Sequence, residues 1–322
     1  MSIKVGIVGV SGYGGGEALR LCAAHPVFQV VYVAGESSAG AKLGEKFPGI
    51  GTLEQQIIQK WDPAQLPRLD VLFASLPSGQ SRDALAKVSP SVKIVDIGGD
   101  HRYVEGWTYG LADVWPDEVA RSSRVANPGC YPSAALVALA PLVRAGLIDP
   151  ASIIIDAKSG VSGAGRGGGS TFGYAEVNED VSAYGLLKHA HVPEITQTLT
   201  RLAGRAAGVT FTPHLIPMTR GILATCYARG QASTEQCLQA ARQFYADRPF
   251  VRVTASPPHT KWATGSNLAF VSYAADPQRN LIIALAAVDN LGKGAAGQAV
   301  QNANLMTGQA PTAGLLSPPL WP

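Results

Sequence analysis

The sequence predicts an α/β fold in two domains, a doubly wound parallel sheet followed by a mixed sheet with helices on one face. Short β-branched runs alternate with helical segments early in the chain, and strand patterns dominate after a cluster of turn residues near Asn127. A chain of 322 residues exceeds the usual range of one hydrophobic core, and 46% hydrophobic against 15% charged residues argues against disorder. We therefore expect two globular domains, residues 1–129 and residues 130–292.

The first domain opens with a strand, a turn and a helix. The β-branched run that starts at Ile3 is typical of a parallel strand buried on both faces, and helix formers fill residues 16–24 after the turn. Strand patterns at 28–34, 71–75 and 93–97, with a helical pattern at 81–88, continue the alternation. Strand–helix–strand units of this kind build a doubly wound sheet.

The second domain begins with a helix. Turn residues at 127–132 precede an Ala/Leu-rich helical stretch, 133–145, which ends at Gly146. Strand patterns then lie at 152–158, 208–212, 221–229, 251–255, 267–274 and 281–289, with helical patterns at 193–206 and 234–245. This order fits a mixed sheet, and the α+β class, with helices on one face. A last helical pattern, 295–307, suits either domain.

Composition narrows the range of functions. The formal charge of +3 is spread without a basic run, so nucleic-acid binding is not indicated. No stretch has the pattern of a signal peptide or a membrane span, and we expect a cytoplasmic protein that does not bind membranes. The 4 cysteines lie far apart without CxxC spacing, which predicts neither a disulfide framework nor a bound metal.

The turn after the first strand carries a nucleotide-binding pattern. Its glycines form a GxxGxxG variant of the dinucleotide fingerprint between a buried strand and a helix, where that motif belongs. Glycines let the backbone approach a pyrophosphate, whose charge is met by free N–H groups and the positive end of the helix dipole. The predicted cofactor contacts are Gly9, Ser11, Gly12, Tyr13 and Gly14. The alternative is an ordinary strand-to-helix turn in a Rossmann-type domain.

The residues that follow the second strand bear on the choice of cofactor. Glu36 comes about twenty residues after the turn, where an acidic side chain bonds the ribose 2′-hydroxyl of NAD and repels a 2′-phosphate. The adjacent Ser37 and Ser38 suit donation to the 2′-phosphate of NADP instead. These residues leave both cofactors open.

Cys130 is the candidate nucleophile. It follows a Pro-Gly turn at the start of the Ala/Leu-rich helix, where orphan N–H groups and the helix dipole favour a thiolate. The alternative is an inert buried cysteine, which is what we expect of Cys22, Cys226 and Cys237.

His189 and His191 lie just ahead of the helix predicted to start at Pro193, on a loop or strand end. Their spacing aims them at opposite faces of an extended segment, so one is a candidate acid/base for Cys130 while the other packs or binds an anion. A metal site needs further ligands that this segment lacks. The isolated histidines, expected to be structural or surface residues, are His25, His101, His214 and His259.

Residues 158–169 are rich in glycine and predict a mobile or ligand-shaped loop. Its backbone N–H groups and Arg166 suit a phosphate or a carboxylate, and the alternative is a flexible surface linker.

Five motifs, in order and nearly end to end, resemble one enzyme family. They lie at 9–17, 127–132 (Asn-Pro-Gly-Cys-Tyr-Pro), 159–166, 189–195 and 289–298. Together they are similar to the N-acetyl-γ-glutamyl-phosphate reductases, NADPH-dependent enzymes of arginine biosynthesis related to aspartate-semialdehyde dehydrogenases. The sequence departs from the family pattern at Glu36, Ser78 and His101.

The resemblance implies a reaction and a set of site residues. Cys130 would form a thioester with an acyl-phosphate substrate, His191 would serve as acid/base and His189 would lie nearer the substrate carboxylate. Further implied contacts are Ser162, Gly163 and Asn290 for NADP, and Asn127, Ser159, Arg166 and Glu194 for the substrate. The resemblance also implies a homodimer or homotetramer, and a C-terminal segment of about 293–322 that completes the first domain.

Three other functions are compatible with parts of this pattern. An N-acetyl-aminoadipyl-phosphate reductase of lysine biosynthesis differs by one methylene in its substrate. A Cys-His hydrolase predicts no nicotinamide binding. A nucleotide-sensing regulatory protein predicts cofactor binding without a reactive Cys130.

Overall fold

A computed structural model describes residues 2–167 and 169–320 and divides the chain into two compact units. The first comprises Met1–Pro128 and Ala295–Ser317, and the second comprises Gly129–Gly294 and Pro318–Pro322. The division after Pro128 falls one residue before the predicted one. The C-terminal segment that belongs to the first unit, Ala295–Ser317, is shorter than the expected 293–322. The residues after it belong to the second unit, where Leu320 donates its backbone N–H to the carbonyl of Thr264 at 2.8 Å.

The first unit contains a parallel sheet, as the sequence predicts. Its strands are β1 (Ile3–Val8), β2 (Phe28–Ala34), β3 (Val71–Ala74), β4 (Lys93–Asp96), β5 (Thr108–Tyr109) and β6 (Arg124–Ala126). They lie in the order β2-β1-β3-β4-β6-β5, and each neighbouring pair is parallel. Because the order reverses at β1, the carboxyl ends of β1 and β3 flank the point at which open α/β sheets bind ligands. The sequence missed β5 and β6, which are too short to show a pattern.

The second unit contains a mixed sheet, which confirms the predicted fold class. Its strands are β7 (Ile153–Ser159), β8 (Ser182–Ala183), β9 (Val209–Leu215), β10 (Ile222–Ala228), β11 (Val251–Val253), β12 (Ala269–Asp276) and β13 (Leu281–Val288). Their order is β11-β12-β13-β10-β7-β9-β8. The β11–β12 and β7–β9 pairs are parallel, and the others are antiparallel.

The α-helices complete both units. They are α1 (Tyr13–Ala23), α2 (Leu43–Lys46), α3 (Ser81–Leu85), α4 (Pro116–Arg121), α5 (Cys130–Arg144), α6 (Tyr174–Val177), α7 (His191–Ala203), α8 (Thr234–Phe244) and α9 (Gly297–Met306). Within the described ranges, none combines the length and the apolar character needed to cross a bilayer.

Helix α9 is the last predicted helix, and it belongs to the first unit. It contacts α1, α4 and β4, and its polar residues are buried. A buried polar side chain needs hydrogen-bond partners, and Asn302 has them: it donates to the carbonyl of Gly110 at 2.9 Å and to Oδ1 of Asn127 at 3.0 Å.

Helices α5, α7 and α8 cover one face of the second sheet. Burial alternates along β10, where Ile222, Ala224, Cys226 and Ala228 are buried and the residues between them are partly exposed. Helix α5 is apolar all round and buried from Tyr131 to Val143, because the sheet and both other helices contact it.

Two helices start earlier than predicted. Helix α5 begins at Cys130 rather than 133, and α7 begins at His191 rather than 193. In both, a proline, Pro132 or Pro193, occupies the third position, where the missing N–H breaks no intrahelical bond. His191 therefore lies on the first turn of a helix, and its predicted place on a loop is wrong.

Candidate active site

The glycine turn joins β1 to α1 at the reversal point of the first sheet. Gly9 has a φ of +78°, and a Cβ there would overlap the carbonyl oxygen of Ser75 just beyond β3. A Cβ at Gly15 would overlap the carbonyl oxygen of Gly9. The fold itself therefore requires both glycines.

Gly12 is different because the protein does not fill the space beside it. A Cβ at this position would meet only the carbonyl oxygen of Gly9, at 3.4 Å. Gly12 is the N-cap of α1 and offers no capping side chain, so the first N–H groups of that helix have no intrahelical acceptor. An open backbone surface at a helix start fits the pyrophosphate of a dinucleotide.

Two hydroxyls lie beside Gly35 at the end of β2. A Cβ at Gly35 would lie 2.8 Å from Oγ of Ser38 and 3.2 Å from Oγ of Ser11. Ser38 is 4% exposed, and its Oγ has no hydrogen-bond partner among the described residues. Because a buried hydroxyl without a partner is costly, this place fits a further polar group such as a phosphate. Glu36 and Ser37 are exposed.

Cys130 is the first residue of α5 and is partly exposed, whereas the other cysteines are buried. Burial raises the pKa of the Cys22 and Cys226 thiols above their ordinary range and raises the pKa of Cys237 to about 11. These three thiols are therefore inert, as predicted. Gly129 caps α5 without a side-chain hydrogen bond, so no capping side chain competes with an anion at Cys130 for the start of the helix.

The His191 ring contacts Gly129, the residue before Cys130. A Cβ at Gly129 would overlap His191 Nε2 and would lie 2.8 Å from its Cδ2. Cys130 also has a close neighbour, since a Cβ at Gly294 would lie 3.0 Å from Cβ of Cys130. Glycine at 129 and 294 is what lets the imidazole and the backbone of Gly294 approach this helix start.

His189 lies beside His191, with ring centroids 4.7 Å apart; the segment is not extended, which is the condition under which their spacing would aim them at opposite faces. The turn into α7 brings them together: Nδ1 of His189 accepts the backbone N–H of His191 at 3.1 Å. The Tyr131, Tyr184 and Phe211 rings surround His189 at 5.2–5.8 Å. Burial lowers the pKa of His189, so its imidazole is neutral at pH 7 with the proton on Nε2.

The two tyrosines form a hydroxyl chain. Tyr184 donates to the Tyr131 hydroxyl at 3.1 Å, and Tyr131 donates to the carbonyl of His214 at 3.1 Å. Burial raises the pKa of Tyr184 to about 12 and raises the pKa of Tyr131 further, so both stay protonated. The chain fixes the ring planes that surround His189.

The structure brings together four predicted contacts, Ser159, Ser162, Gly163 and Asn290, from two sequence segments. Asn290 donates to Oγ of Ser162 at 2.9 Å, and its Oδ1 accepts the N–H of Gly221 at 2.8 Å. A Cβ at Gly163 would lie 3.4 Å from Oγ of Ser159. The glycine-rich segment is therefore partly regular, with a 3-10 turn at Val161–Ala164.

The remaining predicted substrate contacts lie in different surroundings. Arg166 is exposed, just beyond the 3-10 turn. Asn127 is fully buried, and its carboxamide bonds Pro128, Ala295 and Asn302 within the first unit. Glu194 is 3% exposed, and its Oε1 accepts the N–H of Gly129 at 2.8 Å. No group of His, Cys, Asp or Glu in the described part of the chain is arranged to hold a metal ion.

Comparison with known proteins accounts for both units. The family described as "Semialdehyde dehydrogenase, NAD binding domain" matches residues 4–122, and "Semialdehyde dehydrogenase, dimerisation domain" matches residues 130–290. The N-acetyl-gamma-glutamyl-phosphate reductase of Bradyrhizobium sp. (strain ORS 278) is 69% identical over 100% of both chains. The chain belongs to the N-acetyl-γ-glutamyl-phosphate reductase family. Reductases of the same name from Methylobacterium sp. (strain 4-46) and Moorella thermoacetica are 67% and 40% identical, over 100% and 99% of this chain and 100% of theirs.

Solved structures share the fold of this reductase family member. Aspartate semialdehyde dehydrogenase II from Vibrio cholerae, complexed with ASA, has a TM-score of 0.75 at 18% identity and covers 95% of this chain and 98% of its own. The Candida albicans enzyme, solved with NADP, has a TM-score of 0.72 at 15% identity and covers 95% and 99%.

Sequence analysis missed several residues that shape the site of this reductase. Tyr131 and Gly294 stand in the motifs 127–132 and 289–298, but the sequence gives them no role beside the histidines, and Tyr184 lies in none of the five motifs; their contacts join distant segments. Asp289 was also missed: its Oδ1 accepts the N–H groups of Leu291 and Gly292, which forms the turn that leads to Gly294. A buried aspartate before glycine is the one local signal for such a turn.

Proposed function

We propose that this chain reduces N-acetyl-γ-glutamyl phosphate with NADPH to N-acetylglutamate semialdehyde and phosphate, a step of arginine biosynthesis. The observation that carries the proposal is 69% identity, over the full length, to a relative of that name. In the second unit, Cys130 starts a helix next to the glycine on which the His191 ring rests. In the first unit, the glycine turn and the unpartnered Ser38 hydroxyl suit a phosphorylated dinucleotide.

Acylation of Cys130 is the first step of the mechanism. The thiolate forms a bond to the carbonyl carbon, the carbon–oxygen bond to phosphate breaks, and a thioester remains. The N–H groups at the start of α5 stabilise the thiolate, and His191 holds the thiol proton at Nε2. The released phosphate takes one proton from solvent.

Reduction of the thioester is the second step. The chemistry that NADPH supplies when bound is a hydride for the thioester carbon. His191 stabilises the resulting oxyanion by donating from Nε2, after which the carbon–sulfur bond breaks and Cys130 returns as a thiolate. His189, neutral and protonated on Nε2, is suited to donate to the substrate carboxylate.

The reverse reaction tests the proposal. Purified protein is mixed with N-acetylglutamate semialdehyde, phosphate and NADP⁺, and nicotinamide reduction is followed; we expect reduction that requires phosphate. The aminoadipyl semialdehyde, one methylene longer, should compete roughly 10- to 200-fold less well. A protein that binds NADPH and reduces no nicotinamide with either semialdehyde would contradict the proposal.

Glu36 is expected to weaken the preference for NADPH. Its carboxylate is exposed at the end of β2, near the place where Ser38 suits a 2′-phosphate, so like charges repel. Glu36→Gln should raise kcat/KM for NADPH relative to NADH by about tenfold, or about 1.4 kcal/mol. Ser38→Ala should move the ratio the other way by removing the donor.

Steady-state kinetics with both cofactors measures this ratio. Glu105→Gln is the matched control, since Glu105 is an exposed carboxylate of the same unit. A ratio unchanged by Glu36→Gln would show that Glu36 does not contact the ribose.

We further propose that two copies of the chain associate through the uncovered face of the second sheet. Tyr227 on β10 pairs with Ile154 on β7 and with Ile283 on β13, which forms a stripe on the face opposite the helices. Ile154 is 48% exposed, and Tyr227 and Ile283 are partly exposed. The family name "dimerisation domain" for residues 130–290 supports a second copy as the occupant.

Tyr227→Glu is expected to produce monomers. Placing a charge where an aromatic ring is buried between copies should weaken association at least about 30-fold. Light scattering after gel filtration measures the mass, with Gln243→Glu on the exposed side of α8 as control. An unchanged mass for Tyr227→Glu would place the interface elsewhere.

We assign the enzyme to the cytoplasm. All four cysteines are free, and Cys130 must stay reduced to react, which suits a reducing compartment.

A further inference from the structure

The carboxylate of Glu194 is buried and bonds the backbone next to the reactive cysteine. Its side chain is 3% exposed, and Oε1 accepts the Gly129 N–H at 2.8 Å across 65 residues of sequence. Gly129 is the N-cap of α5, and Glu194 lies in the first turn of α7. The bond therefore ties the start of one helix to the start of the other.

Two side chains of α7, those of His191 and Glu194, contact Gly129. The His191 ring lies against its Cα so closely that any side chain at 129 would overlap Nε2. Glu194 is three residues after His191, so both side chains share one face of the helix. Gly129, the residue before Cys130, is thus fixed by a hydrogen bond to its N–H and by an imidazole against its Cα.

The bond also limits what Glu194 does in the reaction. A carboxylate that is almost fully buried and engaged with a backbone N–H is poorly placed to bind substrate, the role that the family resemblance implied. The hydrogen bond needs only an acceptor oxygen at the end of two methylenes, which the Gln amide also provides.

We propose that Glu194 is a positioning residue, which holds Gly129 against His191 and so sets the geometry between the imidazole and the Cys130 thiol. This inference rests on the proposed function for its kinetic consequences, but the thiol's reactivity tests it without substrate.

The experiment compares Glu194→Ala, Glu194→Asp and Glu194→Gln in the full-length protein. The rate of Cys130 alkylation by iodoacetamide is measured without substrate, with Cys130→Ser as background. Glu194→Ala should react about tenfold more slowly, and its kcat should fall about 10- to 100-fold with KM nearly unchanged, as displacement of a reacting group predicts. Glu194→Gln should recover to within about fivefold of wild type, since a neutral acceptor makes a weaker bond. Glu194→Asp, one methylene short, should resemble Glu194→Ala.

A double mutant tests whether Glu194 changes the reactivity of Cys130 through His191. If Glu194 acts through the His191 contact, adding Glu194→Ala to His191→Ala should slow alkylation by less than about twofold further. Glu235→Ala, an exposed glutamate in the first turn of α8, is the matched control.

Three results would overturn the proposal. They are wild-type alkylation and kcat in Glu194→Ala, a Glu194→Gln variant as impaired as Glu194→Ala, and a Glu194→Ala effect confined to KM of the acyl phosphate. If Glu194→Ala fails to fold, the alkylation rates of Glu194→Gln and Glu194→Asp test the proposal instead, and equal rates in these two variants would overturn it. If wild-type protein is alkylated at Cys130 but reduces no acyl phosphate, the proposed function is wrong. The alkylation rates of the Glu194 variants still test the positioning role in that case.

Discussion

Replacement of Cys130 by serine is expected to lower kcat at least about 10³-fold while leaving NADPH affinity unchanged. A serine hydroxyl at the start of α5 keeps the N–H groups nearby, but at neutral pH it does not ionise as a thiol there does. The predicted cofactor contacts of the glycine turn, Gly9 to Gly14, belong to the first unit and keep their surroundings. Steady-state kinetics and NADPH titration measure the two effects separately.

The cysteine prediction has an internal control and a direct chemical readout. Cys237→Ala removes a buried thiol from α8 and should retain activity within about twofold, because burial keeps that thiol protonated. Wild-type protein mixed with acyl phosphate and no NADPH should carry one acyl group on Cys130, seen by mass spectrometry after acid quench. More than a tenth of wild-type turnover in Cys130→Ser would refute a thioester route.

His191→Asn is expected to lower kcat by about 10²- to 10⁴-fold with little change in KM, because it removes the group that holds and returns the proton. His189→Asn should act mainly on KM for the acyl phosphate. The reason is the different surroundings of the two rings: Nδ1 of His189 accepts a backbone N–H and burial lowers the pKa of His189, so this ring donates from Nε2 without cycling a proton.

The pH dependence separates the roles of the histidines further. Because the pKa of His189 is lowered, its neutral form persists below the ordinary histidine pKa, and it becomes charged only as the pH falls through the lowered value. Binding of the substrate carboxylate to Nε2 of His189 should therefore tighten only on the acid side, where the imidazolium also attracts its charge, and His189→Asn should lose that acid limb. Equal loss of kcat in both single variants would show that the assignment of roles is wrong.

The features that the sequence predicts correctly depend on short segments, whereas contacts between distant segments are not predictable from it. The glycine turn, the buried strands of the first unit and the reactive position of Cys130 follow from short segments that sterics and helix electrostatics constrain. The Glu194–Gly129, Tyr184–Tyr131 and Asn290–Ser162 bonds join residues 53 to 128 positions apart, and no single-sequence pattern pairs them.

The starts of α5 and α7 were missed for a local reason. The sequence pattern predicts Pro193 as the first residue of α7, whereas Pro132 and Pro193 are the third residues of α5 and α7. A proline is tolerated at each of the first three positions, so its presence fixes a helix start only to within a turn. The sequence places Cys130 at the start of its helix to within three residues, whereas it does not predict that His191 is the first residue of α7.

The prolines at the third positions of α5 and α7 also have an entropic consequence. Each fixes its own φ near the helical value, in the unfolded chain as well as in the folded one. The turns that carry the thiol and the imidazole therefore lose less disorder on folding, by about 0.4–1 kcal/mol each. The two helix starts that carry the thiol and the imidazole are therefore stabilised partly through the unfolded chain, and not only through contacts in the folded one.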